Sequence, residues 1–248
     1  IILLSHLGFK EDQKIARAFP GIDIIIGGHS NESVKNSMKI GNTHIYQVSE
    51  YGKALNVIKT LVDTSANKLL KIKLKVVKAS DLPAPDSAVQ AIVEKWESKV
   101  RDTVDVPLTE IKSSYNRHQV KKLFEKALKE KLKADFGFYN LGGIRDSISP
   151  GTLLKRQIWN IEPFSNRAVL VNIPGVTMSD SLKKEMKSKN IKFETDKVFR
   201  VATCDFVAQH SKQYLGPEVV NLVPGSDSTL FVRDVVCEYL QKKGAKPK

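Results

Sequence analysis

The sequence predicts an α/β fold in two units joined by a bridging helix, and three observations carry that prediction. Short β-branched runs alternate with an amphipathic helical pattern up to about residue 80, a Pro-rich stretch at Asp81–Asp86 breaks the texture, and a second alternation of helices and strands runs from Val104 to the end. At 248 residues, with 41% hydrophobic and 27% charged residues, the chain has apolar material for two ordinary cores.

In order, Ile1–Leu4 reads as a buried strand and Glu11–Phe19 as a helix. Ile22–Ile26 is a continuous β-branched run suited to a fully buried parallel strand. Together they make a βαβ unit. Further strands are expected at His44–Val48, Ala54–Val62 and Leu69–Val77, with Gly41-Asn42 and Asn67-Lys68 as turns. After the break, Asp86-Ser87 can cap a bridging helix through Ala91, Ile92, Val93, Trp96 and Val100. The resulting division is 1–80, 81–103 and 104–248. The last part should hold helices at Gln119–Lys133, Met178–Lys187 and Ser228–Lys242, with strands at Phe136–Tyr139, Arg167–Ile173 and Phe199–Thr203.

Composition excludes some functions. No apolar run approaches the ~18–20 residues that cross a bilayer. Ile1–Leu4 has no basic leader and stops at Ser5-His6, so it is not a signal peptide; a chain opening inside a strand is expected to continue upstream. The formal charge of +13 raises the question of nucleic acid, but much of it is helical lysine such as Lys121, Lys122, Lys126 and Lys129, which usually covers a solvated face. With no helix-turn-helix, zinc-finger or RRM pattern beside the charge, small phosphate-bearing substrates are the expected partners. Cys204 and Cys237 show no CxxC spacing, and they could pair or stay free.

The chemistry enters at the strand ends. Ligands in open α/β sheets collect beyond the carboxyl ends of parallel strands. Here one strand runs into Ser5-His6-Leu7-Gly8 and the next into Gly27-Gly28-His29-Ser30-Asn31. A single histidine there would be an ordinary loop residue. Two on adjacent strand ends, beside glycines that let the backbone turn sharply, can converge on one cation through neutral imidazoles.

These residues carry a resemblance. Ser5–Gly8, the run from Asp23 through Gly28-His29-Ser30-Asn31, and Gln47-Val48 through Glu50-Tyr51-Gly52-Lys53 resemble the end of the calcineurin-like metallophosphoesterase domain of 5′-nucleotidases. Asn140-Leu141-Gly142-Gly143-Ile144-Arg145 and Glu162-Pro163-Phe164-Ser165-Asn166 resemble the 5′-nucleotidase C-terminal domain. The resemblance covers nearly the whole chain. It implies the end of an α/β/β/α sandwich, a bridging helix, and an α/β substrate-binding domain.

It also implies a centre of two divalent metal ions, zinc, manganese or similar, with His6 and His29 on one and Asn31 on the other. The family's Asp-x-His, Gly-Asp and Gly-Asn-His motifs, the last with a catalytic His, are not in this sequence and are expected upstream of Ile1. Two-metal phosphoester hydrolysis clamps the attacking and leaving oxygens between cations ~3.5–4 Å apart. Half the ligands cannot hold that pair, so the chain alone is expected to be inactive.

For substrate, a guanidinium suits phosphate because its donors are forked and permanently charged. The resemblance gives that role to Arg145, places Asn140 toward the base with Gly142 and Gly143 allowing close approach, and makes Phe164, with Asn166 beside it, a stacking platform. Phe206 and Asp227 match the second stacking residue and the ribose-binding Asp, across an insertion from Gln209 to about Pro224. Arg117 is a further phosphate candidate, in a segment that departs from the family's pattern, as do Leu141, Ser226 and Ser228. The implied function is hydrolysis of nucleotides or other phosphate esters, with a periplasmic or extracellular location. The alternative is a relative that binds nucleotides or a partner without turnover.

Overall fold

The computed structural model describes residues 1–30, 38–48, 52–218, 220–223 and 229–244. The chain divides into two compact units, Ile1–Gln90 and Ala91–Lys248.

In the first unit, β1 (Ile2–Leu4), α1 (Phe9–Ala18) and β2 (Ile24–Ile26) form the expected βαβ unit, with β1 and β2 parallel. β3 (Met38–Ile40) and β4 (Thr43–Tyr46) extend the sheet in the order β1-β2-β4-β3, β4 parallel to β2 and β3 antiparallel to β4. β5 (Ala54–Asp63) and β6 (Lys68–Lys78) form a separate hairpin, whose turn is tied by Asp63 Oδ1 accepting from the Ser65 and Ala66 amides at 2.9 and 3.0 Å. The turn glycine Gly41 has φ +58 and Asn67 φ 51, the left-handed conformation that Gly and Asn tolerate.

The buried-strand expectation fails for β1. Ile2 and Leu4 are 62% and 77% exposed, and Ile26 at the end of β2 is also exposed. β1 is an edge strand, and α1 covers the face to which Leu3 points. Phe9, Ala16, Ile25 and Ile45 form a small cluster with Leu3 and Ile15 against it.

α2 (Ser87–Val104) begins in the first unit and ends in the second. Asp86 caps it as the sequence suggests, its Oδ1 accepting from the Ala88 and Val89 amides at 2.9 and 3.1 Å. Its apolar stripe of Val89, Ile92, Val93, Trp96 and Val100 is exposed, and Val104 is buried.

The second unit holds β7 (Pro107–Ile111), α3 (Arg117–Leu132), β8 (Phe136–Gly137), β9 (Gly151–Leu154), α4 (Lys155–Ile161), β10 (Ala168–Pro174), α5 (Asp180–Ser188), β11 (Val198–Cys204), α6 (Asp205–Gln209), α7 (Ser211–Tyr214), β12 (Asn221–Leu222) and α8 (Val232–Lys243). The main sheet runs β12-β10-β11-β8, with β10 antiparallel to β11 and β8 parallel to it; β7 and β9 pair separately. α3 packs on β8, β11 and α8, burying Phe124, Leu128, Phe136, Tyr139, Phe199 and Leu240 in one apolar core.

α3 starts on a capping box, Asn116 with Gln119. Buried Glu125 on the same helix accepts the Tyr139 amide at 3.0 Å and pairs with Lys121 at 2.7 Å and Lys189 at 3.0 Å, so the charge is compensated inside the core. Cys204 and Cys237 are both free and buried, and burial pushes each thiol up to about 12. Pairing is not realised.

Candidate functional site

The two histidine-bearing loops of the first unit leave parallel, directly paired strands, Leu4 standing opposite Ile26. Their rings meet edge to face with centres 5.3 Å apart. His29 sits at φ 68, a left-handed conformation that costs energy for any residue with a Cβ. Glycines make the approach feasible: a Cβ on Gly28 would lie 3.0 Å from His6 Nδ1, and one on Gly8, at φ +96, would lie 3.4 Å from His29 Cδ2.

Beneath the histidines lies a polar network that sequence reasoning missed. Asp12, on α1, is fully buried. It accepts from the Ser5 hydroxyl and, at 3.2 Å, from Gln47 Nε2, which also donates to the Gly28 carbonyl at 3.2 Å. Ser30 donates to Gln47 Oε1 at 3.0 Å and accepts the Phe9 amide at 2.9 Å, so it also caps α1. Gly27 stands against this network: a Cβ there would lie 2.2 Å from Asp12 Oδ2. One signal could have found Asp12, its place three residues after Phe9 and four before Ala16, on the helix's buried face.

Two convergent imidazoles fit part of the shell of a cation such as zinc, whose nitrogen ligands lie at ~2.0–2.1 Å. Among the described residues no group of three His, Cys, Asp or Glu forms a fuller ligand set. Asn31 and Asp227 lie outside the described residues.

The second unit gathers three segments at one end of its main sheet. The Arg145 amide donates to Ile161 O at 2.9 Å, joining the 140–145 loop to the end of α4. The Arg167 amide donates to Asp205 Oδ1 at 3.0 Å, joining the 162–167 loop to the start of α6, next to Phe206. Arg145 lies over the Phe164 ring, 5.7 Å from its centre, and Phe164 is 52% exposed rather than a plug for the core.

Asn140 is buried, and its Oδ1, against Gly143, has no hydrogen-bond partner among the described residues. A Cβ on Gly142 would lie 3.5 Å from the amide nitrogen of the same Asn140. Arg117 spends its guanidinium on this loop's backbone, donating to Ile144 O at 2.7 Å and Leu141 O at 3.1 Å. Asn166 is turned inward: its Nδ2 donates to Tyr139 Oη at 3.0 Å and its amide to Glu162 Oε1 at 3.3 Å. Glu162 is fully buried, and desolvation pushes its carboxyl up to about 7. Phe206 is packed on one side by His210, 4.4 Å between ring centres.

Known proteins resemble this chain in both sequence and fold. A family model described as 5′-nucleotidase, C-terminal domain, matches residues 102–193. Among curated proteins of Bacillus subtilis strain 168, endonuclease YhcR is 24% identical over 66% of this chain and 14% of its own length. The uncharacterized metallophosphoesterase YunD is 21% identical over 73% of this chain and 40% of its own. Among solved structures, a 5′-nucleotidase precursor from Thermus thermophilus superposes with a TM-score of 0.81 at 18% identity, over 98% of this chain and 61% of the other. The chain thus spans less than two thirds of these relatives' length, and its α/β fold is theirs.

Proposed function

Because the chain belongs to the 5′-nucleotidase family, we propose that it is part of a metal-dependent phosphohydrolase that releases phosphate from nucleotides or related phosphate esters. The observation that carries this is the pairing of His6 and His29 at adjacent strand ends, 5.3 Å between ring centres, locked by a buried polar network. His6, His29 and Asn31 would hold part of a two-ion centre. When bound, divalent cations would supply Lewis-acid polarisation of the phosphoryl group and an activated water. The remaining ligands and the catalytic histidine are assigned to residues outside this chain, which by itself does not turn over substrate.

The second unit would capture the nucleotide. Arg145 supplies a fixed positive charge for phosphate, Phe164 an exposed face for the base, and Asn140 an unsatisfied acceptor; Gly142 and Gly143 keep the loop free of side chains. Arg117 and Asn166 shape the pocket, Arg117 by holding the loop's carbonyls and Asn166 through Tyr139. Phe206 and Asp227 complete the set, Phe206 offering only the ring surface that His210 leaves open. The bridging helix α2 would act as the hinge that carries substrate to the metals, in a periplasmic or extracellular setting.

The test is phosphate release by the longer protein carrying the whole metallophosphoesterase domain, loaded with Mn²⁺ or Zn²⁺. Nucleoside monophosphates, cyclic nucleotides and sugar nucleotides would be offered in parallel with DNA. Release from a nucleotide supports the reading. No release from any of them, with nucleotide still bound, would establish the non-catalytic alternative.

A further inference from the structure

We infer that Asp12 is a positioning residue, which sets the separation and aim of His6 and His29 through Gln47 and Ser30 without touching the cation or the substrate. The inference rests on the metal reading of the two histidines. Asp12 is the fully buried hub: one carboxylate oxygen takes the Ser5 hydroxyl, in the residue before His6, and the other takes Gln47 Nε2. Gln47 passes the constraint on, donating to the carbonyl of Gly28, in the residue before His29, and accepting from Ser30, in the residue after it. Both histidine backbones are thereby tied to one side chain.

The need for such a tie is visible in the backbone. His29 is held at φ 68, which persists only where its surroundings fix it. Its neighbours are fixed by the Gln47 bonds to Gly28 and Ser30, by the Ser30 amide donating to Gly28 O at 2.9 Å, and by the Phe9 amide on Ser30 Oγ. On the other loop, the Ser5 amide is held by Ile26 O at 2.9 Å and the Leu7 amide by Ser5 Oγ at 3.2 Å, leaving His6 between two anchored residues. Burying a carboxylate is costly unless its oxygens are satisfied, and here the satisfied bonds are the ones that reach the histidine loops. The missing side chain at Gly27 is the room the hub requires.

The acceptor role, rather than the charge, is what the geometry uses. An asparagine can accept from Gln47 through Oδ1 while its amide donates to the Ser5 hydroxyl, which can turn to accept. Asp12→Asn should therefore keep the tie and Asp12→Leu, of similar size, should cut it.

The experiment is a titration of the protein with Zn²⁺ alone, reading the affinity by calorimetry and the imidazole NMR signals of His6 and His29. In the wild-type protein both histidine signals should shift together. Asp12→Leu should weaken binding roughly 10–100-fold, as loss of an outer-shell partner does, and uncouple the two signals, while Asp12→Asn stays close to wild type. Ser30→Ala, a milder cut that does not empty the core, should give an intermediate loss, and it decides the matter should Asp12→Leu fail to fold. If the variants fold and bind Zn²⁺ as the wild type does, the positioning inference is overturned and the metal reading stands. If wild-type protein shows no shift at His6 and His29, the metal reading itself fails.

Discussion

The histidine end of the first unit and the arginine end of the second both form where strands stop, yet they are held by opposite means. His6 and His29 stand on a buried polar hub, Asp12 and Gln47, beside a small apolar cluster of Phe9, Ala16, Ile25 and Ile45. Arg145 and Phe164 project from loops fixed to a large apolar core, with polar clamps only at its edge, Arg117 on the loop carbonyls and Glu162 under Asn166. Polar ties fix direction, because a hydrogen bond weakens steeply with misalignment; apolar packing fixes position and leaves surface residues free to change. The first site should therefore be sensitive to single polar substitutions beneath it, and the second should separate binding from stability.

The largest expected effect lies in the second unit's core. Phe124→Ala should cost about 3–5 kcal/mol, measured by urea denaturation followed by tryptophan fluorescence, since Trp96 and Trp159 both lie in that unit. Arg117→Ala should cost about 1.5–3 kcal/mol through lost charge-assisted bonds to Leu141 and Ile144, and should also weaken AMP binding; unchanged binding would mean that the clamp is only structural.

In the first unit, Gly27→Ala should cost about 1–3 kcal/mol by overpacking. The loss should appear as faster amide exchange at Ser5 and Ser30, because the new Cβ displaces Asp12. Equal exchange would show that the hub has slack.

Glu162 predicts a slope rather than a step. Its folded value of about 7 lies above that of an unfolded glutamate, so its contribution is fully present below about pH 4.5 and lost as pH rises through about 7. Glu162→Gln should flatten that part of the thermal-stability profile. The smallest stability effect belongs to Phe164→Ala, within about 0.5 kcal/mol for an exposed residue, although nucleotide affinity should fall by about 1–3 kcal/mol. A large stability loss there would erase the contrast between the two ends.

The same contrast governs what could be seen in the sequence. The βαβ unit, the Asp86 cap and the Gly41 and Asn67 turns were legible because each depends on local pattern. The exposure of Ile2, Leu4 and the α2 stripe was not, because apolar patterning says which face can be covered and not what covers it. Short elements such as α6, α7 and β12 are made by tertiary contact and lack a periodic signal. At the sites, His6, His29, Arg145 and Phe164 stood out as exposed chemistry on loops. Asp12 did not, since a carboxylate in a charged helix looks like solvent-facing surface until its buried partners are known.

The central claim is that His6 and His29 share a cation. The most direct measurement is anomalous diffraction at the zinc edge from crystals of the protein grown with Zn²⁺. The account predicts a peak within coordination distance of both imidazoles, lost in His29→Ala. A peak elsewhere, with the two rings still in contact and no metal between them, would contradict it.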